Sequence, residues 1–273
     1  MKLTNPDYHL PKLLALEPLK EFGSGANKPI LMRCADKQSG ERVEVVVKLK
    51  DGERMGDGRA HACELMGAWL AREMNILVPE PNVVEISADL HESLQGSSFY
   101  RRVQQSIGLN FGSQNLLNMT QPDQRDELKR SHVIDAQLIF LFDLMTINPD
   151  RTPAKVNMLS DHKRIFAIDH EMAFTNIPFM KILSPRPNPW ELNKGDVDTV
   201  KNGILKSLIQ GKKFEPEPFI KDITTISEEF WEKAVPCLPD EWEWEYWPEV
   251  SEFVMEIVEH AEDFVTNAMR TLQ

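Results

Sequence analysis

The 273-residue chain contains no apolar run long enough to cross a bilayer. Its first residues, Met1-Lys-Leu-Thr-Asn-Pro-Asp, lack the apolar core of a secretory signal, so a cytoplasmic address is expected. Only three cysteines occur, Cys34, Cys63 and Cys237. They lie too far apart for a metal-binding spacing or a disulfide framework, and buried, reduced thiols are expected. Basic charge is also short: 31 Lys and Arg against 43 Asp and Glu leave a net charge of −12. General nucleic-acid binding is thereby disfavoured, since neutralising phosphates needs clustered cations. A local basic pocket for a nucleotide remains compatible with that balance. No internal repeat and no low-complexity linker interrupts the chain.

The hydrophobic pattern divides the chain. In Val43-Glu-Val-Val-Val-Lys-Leu-Lys, the residues Val43, Val45, Val47 and Leu49 share one face, and Glu44, Val46, Lys48 and Lys50 the other. Pro29-Ile-Leu-Met-Arg-Cys is expected as the partner strand, with Asp36-Lys-Gln-Ser-Gly-Glu as the turn between them. Ala60 to Met74 has helical periodicity, with an apolar stripe through Ala62, Met66, Trp69 and Leu70. Its other face sets Glu64 among Gly67, Ala68 and Ala71, small enough to approach a neighbouring strand. Asn82-Val-Val-Glu-Ile reads as a further strand.

From about His132 the pattern becomes helical. Val133 to Ile147 is apolar on nearly every side, as in a helix at the centre of a packed unit. The prolines of Asn148-Pro-Asp-Arg-Thr-Pro then enforce a loop, followed by a polar turn and the short strand Ile165-Phe-Ala-Ile. Val197, Val200, Ile204 and Leu208 form one helical stripe; Val250, Val254, Ile257, Ala261 and Phe264 form another, with Pro248 in its first turn. Strands first and helices later imply an α+β fold of two lobes. The boundary falls near residue 115, giving a small β-rich lobe over 1–115 and a mostly helical lobe over 116–273.

Phosphoryl transfer requires a cover for phosphates, a cation for them, oxygen ligands for magnesium and a group that orients the attacking hydroxyl. The chain offers candidates in that order. Phe22-Gly-Ser-Gly-Ala-Asn is a glycine-rich turn (Gly23, Ser24, Gly25) whose backbone amides could approach phosphate oxygens. Lys48 could pair with Glu64 and so be aimed at the phosphates. Asp150 could accept a hydrogen bond from a hydroxyl, and Asn157 could ligate magnesium. Asp169 stands at the end of a short apolar strand, a fitting place for a second metal ligand. Each also has a plain structural reading: an ordinary turn, an edge-strand lysine, a proline-rich loop and a helix cap. Their order along the chain favours the functional one. His170 has no metal-ligand partner at a sensible spacing and is expected beside the site rather than in it.

Taken together, Phe22-Gly-Ser-Gly, Val47-Lys-Leu, Glu64 followed by Leu-Ala-Arg and Val78-Pro-Glu-Pro, Asn148-Pro-Asp-Arg and Ile168-Asp-His-Glu-Met-Ala-Phe resemble the HipA-like kinase family, in particular its short branch. The match runs from about Leu16 to Phe174, and Leu238-Pro-Asp-Glu-Trp extends it. The resemblance implies a two-lobed protein-kinase-like fold and transfer of the γ-phosphate of ATP to a protein serine or threonine. It implies Asp150 as base, Asn157 and Asp169 on Mg2+, and Lys48 with Glu64 and the Gly23–Gly25 turn at the ATP phosphates. The segment between Phe99 and Asn115 is expected to supply the inter-lobe hinge. Several relatives act as toxins held by an antitoxin-type protein partner. The interval from Asp150 to Asn157 is longer than in the best-known members, and the extra N-terminal subdomain of the longer ones has no counterpart, so target and toxicity do not carry over.

Two other readings stay open. A nucleotide-binding pseudokinase or partner-binding module would keep the fold without productive metal geometry. A small-molecule kinase of the aminoglycoside phosphotransferase kind would carry a His shortly before the catalytic Asp, where Asn148-Pro149 stands. The Glu241–Trp247 segment, rich in tryptophan and glutamate, could be a partner surface or a cover for a helical core.

Overall fold

Alternation along Arg42–Lys48 has the expected consequence: Val45 and Val47 point into the centre of a small barrel, and Lys48 points out of it. The computed structural model describes residues 1–23, 27–52, 54–123, 128–179, 188–192 and 203–272. Five strands close the barrel: β1 (Lys12–Glu21), β2 (Ile30–Asp36), β3 (Arg42–Lys48), β4 (Pro81–Ile86) and β5 (Gly108–Gln114). Their order is β1-β2-β3-β5-β4, and β1 runs parallel to β4 to complete the circle. Leu13, Ile30, Met32, Cys34, Val47, Leu49 and Val84 fill the interior. The β2–β3 turn is set by the Asp36 carboxylate, which accepts the N–H of Gln38 at 2.9 Å and of Ser39 at 2.7 Å.

Strand β1 is an addition to what the sequence pattern suggests. It has no β-branched residue, contains Pro18, and changes register between Ala15 and Glu17 and between Pro18 and Lys20. Between β4 and β5 lie two short helices, α2 (Ala88–Ser93) and α3 (Tyr100–Gln104). The hinge segment expected over Phe99–Asn115 is thus mostly α3 and β5.

Helix α1 (Arg59–Glu73) joins the barrel to the rest of the chain. It is buried almost all the way round, beyond the single stripe expected, because it packs on β4 and β5 and into the larger core. Gly67 marks its closest approach: a β-carbon there would lie 2.6 Å from the β-carbon of His170. Helix α4 (Arg130–Thr146) is the buried helix expected after His132. It ends at Ile147, whose φ of 51° turns the chain sharply into Asn148. Strands β6 (Met158–Ser160) and β7 (Ile165–Ala167) form the hairpin that follows.

Among the described residues the remaining α-helices are α5 (Ile204–Ile209), α6 (Pro216–Ile223), α7 (Glu228–Cys237), α8 (Trp247–Glu259) and α9 (Ala261–Arg270). Ile204 and Leu208 are buried on α5, while Val197 and Val200 of the expected stripe lie outside the described residues. The single last helix expected is two: the chain leaves helical geometry at His260 (φ −112°, ψ 34°), whose ring stacks on Trp190 at 3.6 Å. Trp242 and Trp247 are buried, and Trp242 stacks on His61 of α1, so these aromatics cover the core. Cys34 and Cys63 are buried free thiols; Cys237, against expectation, is exposed, because it falls at the C-terminal end of α7. Among the described residues no helix is long and apolar enough to cross a membrane.

The Gly67 contact makes a signed expectation. Helix propensity alone would have Gly67→Ala stabilise the protein by about 1 kcal/mol. The clash with His170 should reverse the sign and cost about 1–3 kcal/mol, the usual range for overpacking. Urea denaturation reads the difference, and a variant as stable as the parent would show that the approach is looser than described.

Candidate active site

Lys48 leaves the barrel on the side that faces α1, and the first group it meets is Glu64. The two form an ion pair with side chains 13% and 2% exposed. The same ammonium lies 2.6 Å from Oδ1 of Asp169 and 3.6 Å from Oε2 of Glu171. Glu64 in turn accepts the backbone N–H of His170 at 3.0 Å and of Glu171 at 3.1 Å. One carboxylate of α1 therefore fixes both the lysine and the peptide that follows Asp169. Asp169 itself has a φ of 65°, a left-handed conformation that Asp tolerates better than most residues.

Electrostatics follow from this crowding. Burial would lower the pKa of Lys48, but Asp169, Glu64 and Glu171 raise it, so the ammonium stays charged. Burial pushes Glu64 up to about 7, against the pull of Lys48. Burial acts the same way on Asp169, yet the Lys48 ammonium beside it holds it below the usual carboxylate range. Glu171 is raised by burial. His170 is pushed well below its ordinary value, by burial first and then by Arg151 and Lys48. Its Nδ1 faces Nη2 of Arg151 at 3.5 Å, and, contrary to expectation, the residue lines the same cavity as its neighbours Asp169 and Glu171.

The second group comes from the loop after α4. Asn157 Nδ2 donates to Oδ2 of Asp150 at 3.1 Å, and Lys155 Nζ to its Oδ1 at 3.1 Å. The long interval between Asp150 and Asn157 does not separate them. Thr152 and Lys155 exchange backbone hydrogen bonds of 2.9 and 3.0 Å, which loops out Pro153-Ala154. Asn157 adopts a φ of 48°, and its amide still reaches Asp150.

Arg151 braces both groups. Its Nε lies 2.8 Å from Oδ2 of Asp143 on α4, and its Nη1 donates to the carbonyls of Asn157 and, at 2.9 Å, of Ile168. Those carbonyls precede β6 and Asp169, so one buried guanidinium sets the spacing of loop and hairpin. Asp143 is pushed up to about 6 by burial, less the opposing effect of Arg151.

Lys48, Glu64, Lys155, Asn157, Asp169 and Glu171 line one cleft of about 470 Å3. Phe22, Val46, Ala68, Val78, Phe111, Leu116, Leu159 and Ile168 give it an apolar portion, and Lys48, Asn157, Asp169 and Glu171 a polar one. Of the expected turn, Gly23 is described, and a β-carbon there would meet no atom within 4 Å; Ser24 and Gly25 lie outside the described residues. Asn27, just past the turn, donates through Nδ2 to Glu171. Arg102 of α3 holds the base of the turn through Asp51 (2.6 Å), Glu21 (2.8 Å) and the carbonyl of Lys28 (2.9 Å). From the loop after β3, Arg54 reaches Glu171 at 3.3 Å and Asp150 at 3.9 Å.

The structure thus brings Lys48, Glu64, Asn157 and Asp169 to one cleft, with Asp150 hydrogen-bonded to Asn157. It adds Asn27, Lys155 and Glu171 to the lining, and Arg54 and Arg151 as cations beside it, which spacing did not single out. Glu64, Asp169 and Glu171 each offer a carboxylate oxygen within 4.8 Å of the others, the hard, anionic donors that suit a divalent cation such as magnesium.

A lysine held by a helix carboxylate and aimed at an acidic cluster, with an Asn on the same cleft that bonds to an Asp, is a kinase-like arrangement. The chain belongs to the HipA-like kinase family, whose model matches residues 17–181. A search of curated proteins finds no match. Among solved structures, the chain is similar to the proinflammatory kinase CtkA of Helicobacter pylori at 9% identity and a TM-score of 0.44, covering 92% of this chain and 94% of that one. It is also similar to the PAN3 pseudokinase of Neurospora crassa, at 12% identity and a TM-score of 0.33, covering 98% and 70%. Likenesses this distant bear on neither activity nor substrate.

The Arg151–Asp143 pair yields a stability test. Arg151→Met leaves a buried carboxylate unpaired and should cost about 3–5 kcal/mol at neutral pH. Asp143 has a folded pKa above its unfolded one, so its protonation stabilises the fold at low pH and that gain is lost as pH rises. Without Arg151 the folded pKa rises further above 6. The deficit should therefore shrink between pH 7.5 and pH 5, as chemical denaturation at the two pH values can show. A deficit independent of pH would mean that Asp143 is not the group left exposed to the loss.

Proposed function

We propose that the protein is an ATP-dependent phosphotransferase with two lobes, residues 1–115 and 116–273, joined after β5 and closing on the described cleft. The observation that carries this reading is the convergence of Lys48, Glu64 and Asp169 on one point, with Asn157 on the same cleft and Asp150 hydrogen-bonded to it. The apolar portion suits a purine ring. Lys48, steered by Glu64, binds the α- and β-phosphates, and the Gly23–Gly25 turn covers them. Among the described residues no atom comes within 4 Å of a β-carbon placed at Gly23, which leaves room for a ligand there. Asp169 and Asn157 hold Mg2+, which supplies charge neutralisation at the phosphates when bound.

In the transfer step Asp150 accepts the proton of an acceptor hydroxyl. That oxygen bonds to the γ-phosphorus, the bond from phosphorus to the bridging oxygen breaks, and ADP leaves with the electron pair. The acceptor is proposed to be a protein serine or threonine; that choice, like an antitoxin-type partner, is supported by the family alone. The free thiols fit a reducing, cytoplasmic setting.

One observation favours the pseudokinase reading. Asp150 is engaged by Lys155 and Asn157, and Asp169 by Lys48, so each acid already has a partner. Activity requires that these contacts be exchanged when Mg-ATP enters.

Mg-ATP at about a hundredfold its dissociation constant should stabilise the fold by roughly 2.7 kcal/mol, a melting shift on the order of 5–10 °C. Asp169→Asn should shrink that shift and abolish transfer together. Asp150→Asn should keep the shift and lower transfer from γ-labelled ATP by about a hundredfold to ten-thousandfold. A melt that does not move contradicts nucleotide binding altogether. Binding by the parent without labelling of any protein, itself included, favours the pseudokinase.

A further inference from the structure

Resting on the phosphotransferase reading, we infer that Lys155 is a further catalytic residue, one that leaves Asp150 to bind the γ-phosphoryl group of ATP. The inference starts from the residues that lengthen the Asp150–Asn157 loop. They are folded into a tight turn by reciprocal Thr152–Lys155 backbone bonds, with a further bond of 3.1 Å from the Lys155 amide to Oγ1 of Thr152. Pro153 lies inside that turn and restricts its backbone. The outcome is that Lys155 is returned to the acid from which the loop departs. Its Nζ lies 3.1 Å from Oδ1 and 3.5 Å from Oδ2 of Asp150.

Position then decides what the ammonium can reach. Asp150 takes the acceptor's proton, so the hydroxyl oxygen lies against its carboxylate, and the phosphorus under attack lies about 3–3.5 Å beyond that oxygen. A cation already in contact with the carboxylate is within a side-chain rotation of the phosphoryl oxygens. Lysine suits this transfer, being a point charge on a flexible stem. Lys155 lines the same cleft as Asn157 and Asp169, yet its side chain is 36% exposed, against 13% for Lys48. A partly hydrated ion pair is weakly held and readily exchanged. Lys48, by contrast, is fixed between Glu64 and Asp169 and serves the inner phosphates. The exchange also removes the Lys155 ammonium from Asp150 when a γ-phosphate is present, leaving Asn157 as its hydrogen-bond partner.

The test compares Mg-ATP and Mg-ADP binding by calorimetry for the parent, Lys155→Met and Lys155→Arg, alongside transfer from labelled ATP. Lys155→Met should weaken Mg-ATP about tenfold to a hundredfold, the worth of a charge-assisted hydrogen bond, and leave Mg-ADP within about twofold. Lys155→Arg should keep most of the preference for ATP. Equal weakening of both nucleotides, or of neither, in Lys155→Met overturns the inference in favour of a brace for the loop. That comparison stands even if the parent transfers no phosphate. A parent that binds neither nucleotide contradicts the phosphotransferase reading itself, and the inference with it. Should Lys155→Met unfold, Lys155→Gln takes its place: weaker Mg-ATP with Mg-ADP unchanged supports the inference, and equal weakening of both nucleotides, or of neither, overturns it.

Discussion

One ammonium among three carboxylates organises this protein. Lys48 carries a single positive charge into a pocket that holds Glu64, Asp169 and Glu171, and none of the four is fully open to water. Buried charges must be paired or they destabilise the fold. Here the pairing is incomplete, and the excess is negative. Burial accordingly pushes Glu64 up to about 7 and raises Glu171 as well. Arg54 and Asn27 offset part of the excess from the barrel side. A site with surplus buried carboxylate is one that a divalent cation improves.

The same cluster ties the two halves of the fold together. Lys48 belongs to the barrel, Glu64 to the helix beside it, and Asp169 to the segment after β7. Glu64 bonds to both neighbours, so displacing α1 would disturb the lysine and the acid at once. Arg151 does the corresponding work in the helical half, with Asp143 as its buried counter-charge. Backbone strain gathers where these braces hold. Ile147, Asn157, Asp169 and Phe174 all have positive φ, and each lies at the end of α4, in the loop or around the acid. Asn and Asp bear that conformation at little cost; Ile147 and Phe174 bear it because the structure around them leaves no alternative.

Much of this was legible in the residues, and the gaps have physical causes. Period-two alternation exposed β3 and the side from which Lys48 emerges, since one face of that strand must be apolar. Asp150, Asn157 and Asp169 stood out because each is a polar residue at the edge of an apolar segment. Strand β1 was hidden by Pro18 and by leucines that serve a helix equally well, and the break at His260 has no glycine or proline to announce it. Glu171 left a usable sign: an acid inside the apolar run Ile-Asp-His-Glu-Met-Ala-Phe requires a partner. Asn27, Arg54 and Arg102 left none, because their value comes from chain segments brought together only by the closed barrel. Lys155 was concealed by the turn, which shortens in space a loop that is long in sequence.

The central claim is that the Lys48 cluster is a Mg-ATP site in which lysine and metal divide the carboxylates. Crystals grown with Mg2+ and a non-hydrolysable ATP analogue test it most directly. The expected density has the metal on Asp169 and the Asn157 side-chain oxygen, with Lys48 still on Glu64 but moved from Asp169 to a phosphate. A nucleotide bound elsewhere, or Lys48 unmoved from Asp169 with no metal beside it, would contradict the claim.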